Sequence, residues 1–132
     1  MSSIFTKIIK GEIPSYKIAE DENYFAFLDI NPLAKGHTLI IPKKEVDYIF
    51  DVDDQTLGGM MVFAKKVAKA IEKVVPCKRI GITVIGLEVP HAHIHLIPLN
   101  GLHDMEFSKP KLKLSQEEFI ELANRISKLV IF

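Results

Sequence analysis

Residues 91–98 read His91-Ala92-His93-Ile94-His95-Leu96-Ile97-Pro98. Side chains of an extended strand alternate between two faces with a period of two. The stretch therefore predicts a strand with Ala92, Ile94 and Leu96 on one face and His91, His93 and His95 on the other. The apolar face asks for a helix to pack on it. The other face sets successive imidazoles about 7 Å apart, each with a donor and an acceptor to satisfy. Near neutral pH most of these rings should be uncharged, since a row of imidazolium ions repels itself.

Outward from this strand the pattern is regular. Arg79 to Ile85 predicts a preceding strand, closed by Gly86. Before it, Leu57, Met60, Met61, Ala64, Val67, Ala68, Ile71 and Val74 form a stripe of period 3.6, a long helix capped by Asp53 or Asp54 and stopped at Pro76. His37 to Pro42 holds the apolar run Leu39-Ile40-Ile41 of a buried strand. Tyr16 to Glu20 and Tyr24 to Asp29 predict a hairpin around Asp21-Glu22-Asn23. Ser3 to Lys10 predicts a short helix, capped by Ser2 or Ser3 and ended by Gly11 and Pro14. Downstream, Ser115-Gln116-Glu117-Glu118 is a capping box, and the helix after it turns Phe119, Leu122, Ala123, Ile126 and Leu129 inward. The order predicts an α+β domain: an antiparallel sheet with helices covering one face. The β-α-β alternation of a doubly wound sheet is absent, as are a P-loop and a Gly-x-Gly-x-x-Gly fingerprint.

The 132 residues suit one domain. Lys plus Arg and Asp plus Glu both number 17, so broad attraction to nucleic acid or to an anionic membrane is not expected. No signal-peptide core and no run near the ~20 apolar residues of a membrane span is present. The single cysteine, Cys77, can form no internal disulfide, which fits a cytoplasmic setting. Lys78 and Arg79 beside it could lower its thiol pKa, but a bystander at a loop edge is the expectation.

Three uses could explain the histidine row. A neutral imidazole nitrogen attacks phosphorus well, forming a phosphoimidazole while neighbouring rings donate to phosphate oxygens. Histidines also bind transition metals. Or the three merely alternate in a core or at an edge.

The row resembles the signature His-x-His-x-His-x-x of the histidine triad family, with apolar residues at each x. Three further segments resemble that family in order: Ile4-Phe5-Thr6-Lys7-Ile8-Ile9 through Gly11-Glu12-Ile13-Pro14, Ala26-Phe27-Leu28-Asp29-Ile30-Asn31-Pro32, and Gly36-His37-Thr38-Leu39-Ile40-Ile41-Pro42-Lys43-Lys44. The opening segment is closer to the Hint branch. The resemblance covers about residues 1–100 of a single domain and leaves 101–132 as a C-terminal extension with a helix. It implies a hydrolase or nucleotidyl transferase acting at the α-phosphate of nucleoside phosphoramidates or related conjugates. His93 would be the nucleophile, His91 would hold a His93 ring nitrogen through its main-chain carbonyl, and His95 and His37 would lie at the phosphate. Asp29 would accept from the ribose hydroxyls. Ile4, Phe5, Ile8, Ile13, Phe27 and Ile30 would form the apolar base slot, with Gly86 and Glu88 beside it. The implied partner is a purine nucleotide or its conjugate, with no cofactor, and the implied assembly is a homodimer. The remaining readings are a nucleotide-binding or interaction module with weak or lost catalysis, and a metal-dependent hydrolase.

The sequence departs from the family in two places. Thr83-Val84-Ile85-Gly86-Leu87-Glu88-Val89-Pro90 shortens the loop before the triad, lacks its asparagine and carries Leu87 where glutamine is common. Donors to phosphate oxygens are thereby missing. Many bacterial relatives hold a structural zinc at positions occupied here by Ser3, Thr6, Glu45 and His91; hydroxyls are weak zinc ligands, so none is expected. His103 and the run Lys109 to Lys113 are expected to be solvated.

Overall fold

The computed structural model describes residues 2–132. The short helix α1 (Ile4–Ile9) is capped by Ser3, whose side chain accepts from the Thr6 amide. Strands β1 (Lys17–Glu20), β2 (Tyr24–Leu28) and β3 (Thr38–Pro42) follow, then a 3₁₀ turn (Ile49–Asp51) and the long helix α2 (Asp54–Val74), capped by Asp53. Strands β4 (Arg79–Thr83) and β5 (Ile94–Leu99) and helix α3 (Gln116–Ser127) complete the chain. The capping box of α3 forms between Ser115 and Glu118 as the pattern requires. Among the described residues no helix is long and apolar enough to cross a membrane.

The five strands lie in the order β1-β2-β3-β5-β4, every pair antiparallel. Alternation sorts their side chains. Ala26, Leu28, Ile40, Ile94 and Leu96 pack with Met60, Phe63, Val67 and Ile71 of α2 and with Phe119, Leu122 and Ile126 of α3. Each such side chain taken fully out of water contributes roughly 1.5–3 kcal/mol. The opposite face carries Phe25, Phe27, Leu39 and Ile41, which cluster with Phe5 of α1.

The sheet is thus covered on both faces, not on one as expected. This explains why β2 and β3 are apolar at nearly every position instead of alternating with polar residues. Two helical details also differ. Met61 is exposed, whereas Phe63 and Ala70 are buried, so the inward stripe of α2 is rotated from the one expected. Leu129 lies past the end of α3 and is exposed.

Candidate active site

The histidine row is not one strand. β5 begins at Ile94; before it the chain turns, His91 donating its amide to Val89 O (2.8 Å) and Ala92 to Val46 O (2.7 Å). His91 consequently leaves the common face and does not line the cavity. Its ring is fully buried, with Nε2 at 2.7 Å from Pro42 O and Nδ1 at 2.8 Å from Ser3 Oγ. A carbonyl only accepts, so Nε2 carries the proton and Nδ1 accepts from the Ser3 hydroxyl.

The same logic fixes the other rings. His93 Nδ1 lies 2.8 Å from His91 O, so it carries the proton, and the Nε2 lone pair is left free. His37 Nδ1 accepts from the Leu33 amide at 3.0 Å, which puts the His37 proton on Nε2. That proton is donated to His95 Nδ1 at 3.0 Å, leaving His95 with an Nε2–H. The pair meets because Leu39 is opposite His95 in the β3–β5 register, and His37 lies two residues back on the same face. The His93 and His95 ring centroids are 5.0 Å apart, closer than the ideal strand spacing. Burial, then nearby His95, pushes His37 down to about 3; burial, then His93, pushes His95 down to about 4. Burial also lowers His91. All three are neutral at pH 7, which for His91 and His95 is what the sequence suggested.

Asp29 directly follows β2. Its carboxylate accepts from the Asn31 amide at 2.8 Å and lies 3.5 Å from His37 Nε2. Burial raises its pKa, against the pull of the Asn31 amide. Asp29, His37 and His95 bring possible metal-ligand atoms within 4.8 Å of one another. The His37–His95 hydrogen bond already uses the lone pair of His95 Nδ1, and the Leu33 amide keeps the His37 proton on Nε2.

A cavity of about 460 Å³ opens beside these groups. It is lined by His93 and His95, by Asp29 and by every expected slot residue: Ile4, Phe5, Ile8, Ile13, Phe27 and Ile30. Gly86 and Glu88 line it from the loop after β4, with Gly86 at φ +70°. His37 and His91 stand behind the wall. Phe5 sets its edge toward His93 (centroids 5.0 Å) and toward Phe27 (5.5 Å).

Among the lining residues not named as site candidates are two from the C-terminal segment. Phe107 packs edge-on against His95, 4.8 Å between centroids, and Lys111 reaches the rim. Lys111 is exposed, as expected of the basic run, and also lines the cavity. Its ammonium donates to the carbonyls of Phe107 and of Lys109. The segment is strapped across the sheet, since the Leu112 amide donates to Pro32 O (2.8 Å). No period or motif marks this stretch; a lone aromatic among polar residues was the one available signal. His103 is exposed and paired with Glu106, and the Cys77 thiol is pushed up by burial, then by Glu72, so neither joins the site.

The zinc-associated positions also converge. Glu45 Oε1 accepts from the Ser3 amide (2.7 Å) and from the Thr6 hydroxyl (2.6 Å). These two bonds, the Ser3 amide first, hold the Glu45 carboxyl down to about 2.

Comparison with known proteins identifies the family. The HIT domain family model matches residues 10–102. A Schizosaccharomyces pombe protein named adenosine 5'-monophosphoramidase hnt1 is 38% identical over 130 residues, spanning 96% of this chain and 97% of its own. The crystal structure of a Hit-like protein involved in cell-cycle regulation from Bartonella henselae superposes with a TM-score of 0.83 at 34% identity, over 97% of this chain and 96% of that one. A Zn-bound histidine triad family protein from Mycobacterium smegmatis superposes with a TM-score of 0.80 at 28% identity, over 98% and 96% of the two chains. By its matched domain, its α+β fold and its ordered histidines, this chain belongs to the HIT family.

Proposed function

We propose that the chain hydrolyses nucleotide conjugates at the α-phosphate, adenosine phosphoramidates among them, through a covalent nucleotidyl-His93 intermediate. The observation that carries this reading is the His93–His91 hydrogen bond, which leaves the Nε2 lone pair of a cavity-lining imidazole free. The base enters the apolar slot, and the ribose hydroxyls donate to Asp29. The Nε2 lone pair attacks phosphorus, the bond to the leaving group breaks with its electron pair, and the departing amine takes up a proton from solvent. His95 Nε2–H donates to the phosphoryl group and stabilises the charge that develops there. Water then attacks the same phosphorus and loses a proton to solvent, and the P–N electron pair returns to Nε2. No metal enters either step. Lys111 supports the reading, because it brings positive charge to a site whose short loop, Ile85 to Val89, offers Glu88 instead of extra donors.

The experiment is release of AMP from an adenosine phosphoramidate with chelator present. Wild type turns over; His93→Ala binds AMP and does not. Equal rates in the two proteins would sink the covalent reading, and loss of wild-type activity in chelator would favour a metal-dependent hydrolase. AMP binding without turnover in either protein would favour a binding module.

A homodimer belongs to the same proposal. β4 is an edge strand, and Ile82 on it, with Val84 and Ile85 just beyond, is exposed. A second copy pairing there would cover both the open ladder and this apolar surface.

A further inference from the structure

We propose that Glu45 is a positioning residue for His93, acting through Ser3, Thr6 and His91 as a metal-free lock between α1 and the triad. The inference takes from the functional reading that His93 is the nucleophile.

The shortest contacts of the chain select one proton arrangement, the 3.3 Å approach of Ser3 Oγ to Thr6 Oγ1 being the longer alternative for the Ser3 proton. Thr6 Oγ1 is 2.6 Å from Glu45 Oε1 and gives its proton to that carboxylate. It therefore has none for His91 Nδ1, 3.4 Å away. The Ser3 hydroxyl, 2.8 Å from Nδ1, is left as the donor, while its oxygen accepts from the Thr6 amide at 3.0 Å. His91 Nε2–H is spent on Pro42 O. The ring of His91 is thus gripped on both nitrogens, and the carbonyl of the same residue receives His93 Nδ1–H. Glu45 meets no imidazole at hydrogen-bond distance; its influence passes through Ser3 and Thr6.

One helix carries both ends of this device. Ser3 and Thr6 face the lock, whereas Ile4, Phe5 and Ile8 face the cavity. Phe5 stands edge-on to both His91 and His93. Releasing Glu45 would loosen α1, and with it the wall that His93 leans on. The two hydroxyls, of Ser3 and Thr6, do not suit zinc, which prefers thiolate and imidazole. A cation at His91 Nδ1 would have to displace the Ser3 hydroxyl from that lone pair. Hydrogen bonds perform here the task that a metal ion could perform with softer ligands.

The test is imidazole nitrogen NMR on wild type, Glu45→Ala and Glu45→Gln, alongside kcat, KM and zinc content. Wild type is expected to show His93 as a single Nδ1–H tautomer and to retain no zinc after dialysis. Glu45→Ala should mix the His93 tautomers and lower kcat about tenfold, the scale of a lost charge-assisted hydrogen bond. Glu45→Gln keeps an Oε1 acceptor and should recover most of both. Thr6→Val, which removes one bond to Glu45, should shift the same signals less and serves if Glu45→Ala does not fold. Ser3→Cys with Thr6→Cys should gain one zinc per chain. The proposal is overturned if Glu45→Ala keeps the wild-type kcat and His93 signals, or if wild type holds stoichiometric zinc that Glu45→Ala loses. Should wild type cleave no phosphoramidate, the functional reading fails, and the tautomer spectrum still decides the lock.

Discussion

Lowering the pH from 7 to 5 should weaken the fold, and His37 should account for a defined share of the loss. Its ordinary value is 6.5, and burial holds it at about 3 in the native protein. The unfolded chain therefore takes up a proton that the native state refuses. The contribution of a neutral, buried His37 is intact above its unfolded value and is lost as pH falls below it. Each group in this condition costs about 1.4 kcal/mol per pH unit, so from pH 7 to 5 the integrated loss is about 2 kcal/mol. His95, at about 4 and also buried, adds a similar amount. His91, also lowered, acts in the same direction. Asp29 is raised and opposes them as the carboxylate range is approached. With a urea m-value of about 2 kcal/mol per molar, a total near 4 kcal/mol moves the midpoint down by about 2 M. The assay is urea unfolding followed by circular dichroism at both pH values, in wild type and His37→Gln. The variant loses stability at both, but its shift between pH 7 and 5 should shrink by about 1 M. An identical shift in the two proteins would refute the argument, because the proton uptake would then lie elsewhere. The same burial serves the chemistry: a neutral His95 donates from Nε2 without placing a cation beside the His93 lone pair.

Lys111→Met should raise KM for an adenosine phosphoramidate several-fold, the scale of one lost charge contact, and flatten its dependence on salt. An unchanged salt dependence would place Lys111 outside substrate binding. Gly59→Ala should destabilise the fold by about 1–3 kcal/mol in spite of its better helix propensity. The added Cβ would sit 2.0 Å from the Tyr24 hydroxyl, which donates to Thr56 O at 2.9 Å. Thermal unfolding reads this directly, and a Tm at or above wild type would contradict it.

Part of the site was legible because the contact that orients His93 is local. His93 Nδ1 is held by the carbonyl two residues back, and the alternation from His93 onward puts His93 and His95 on one face. Periods of two and 3.6 likewise gave every helix and strand, with ends adrift by a few residues. Where the reading failed, the cause was a distant partner. The strand begins late because Val46 takes the Ala92 amide and the turn at Val89 takes that of His91. The second face of the sheet is covered by α1 and by the strap bearing Phe107, whose residues have no periodicity to announce them. The protonation of the site is also set at long range: His37 reaches His95 across 58 residues and Ser3 reaches His91 across 88. Such pairs leave no mark in a local pattern, since hydroxyl, carboxylate and imidazole are each ordinary where they stand. Local alternation thus places His93 and His95 together, and distant partners set the protonation around them.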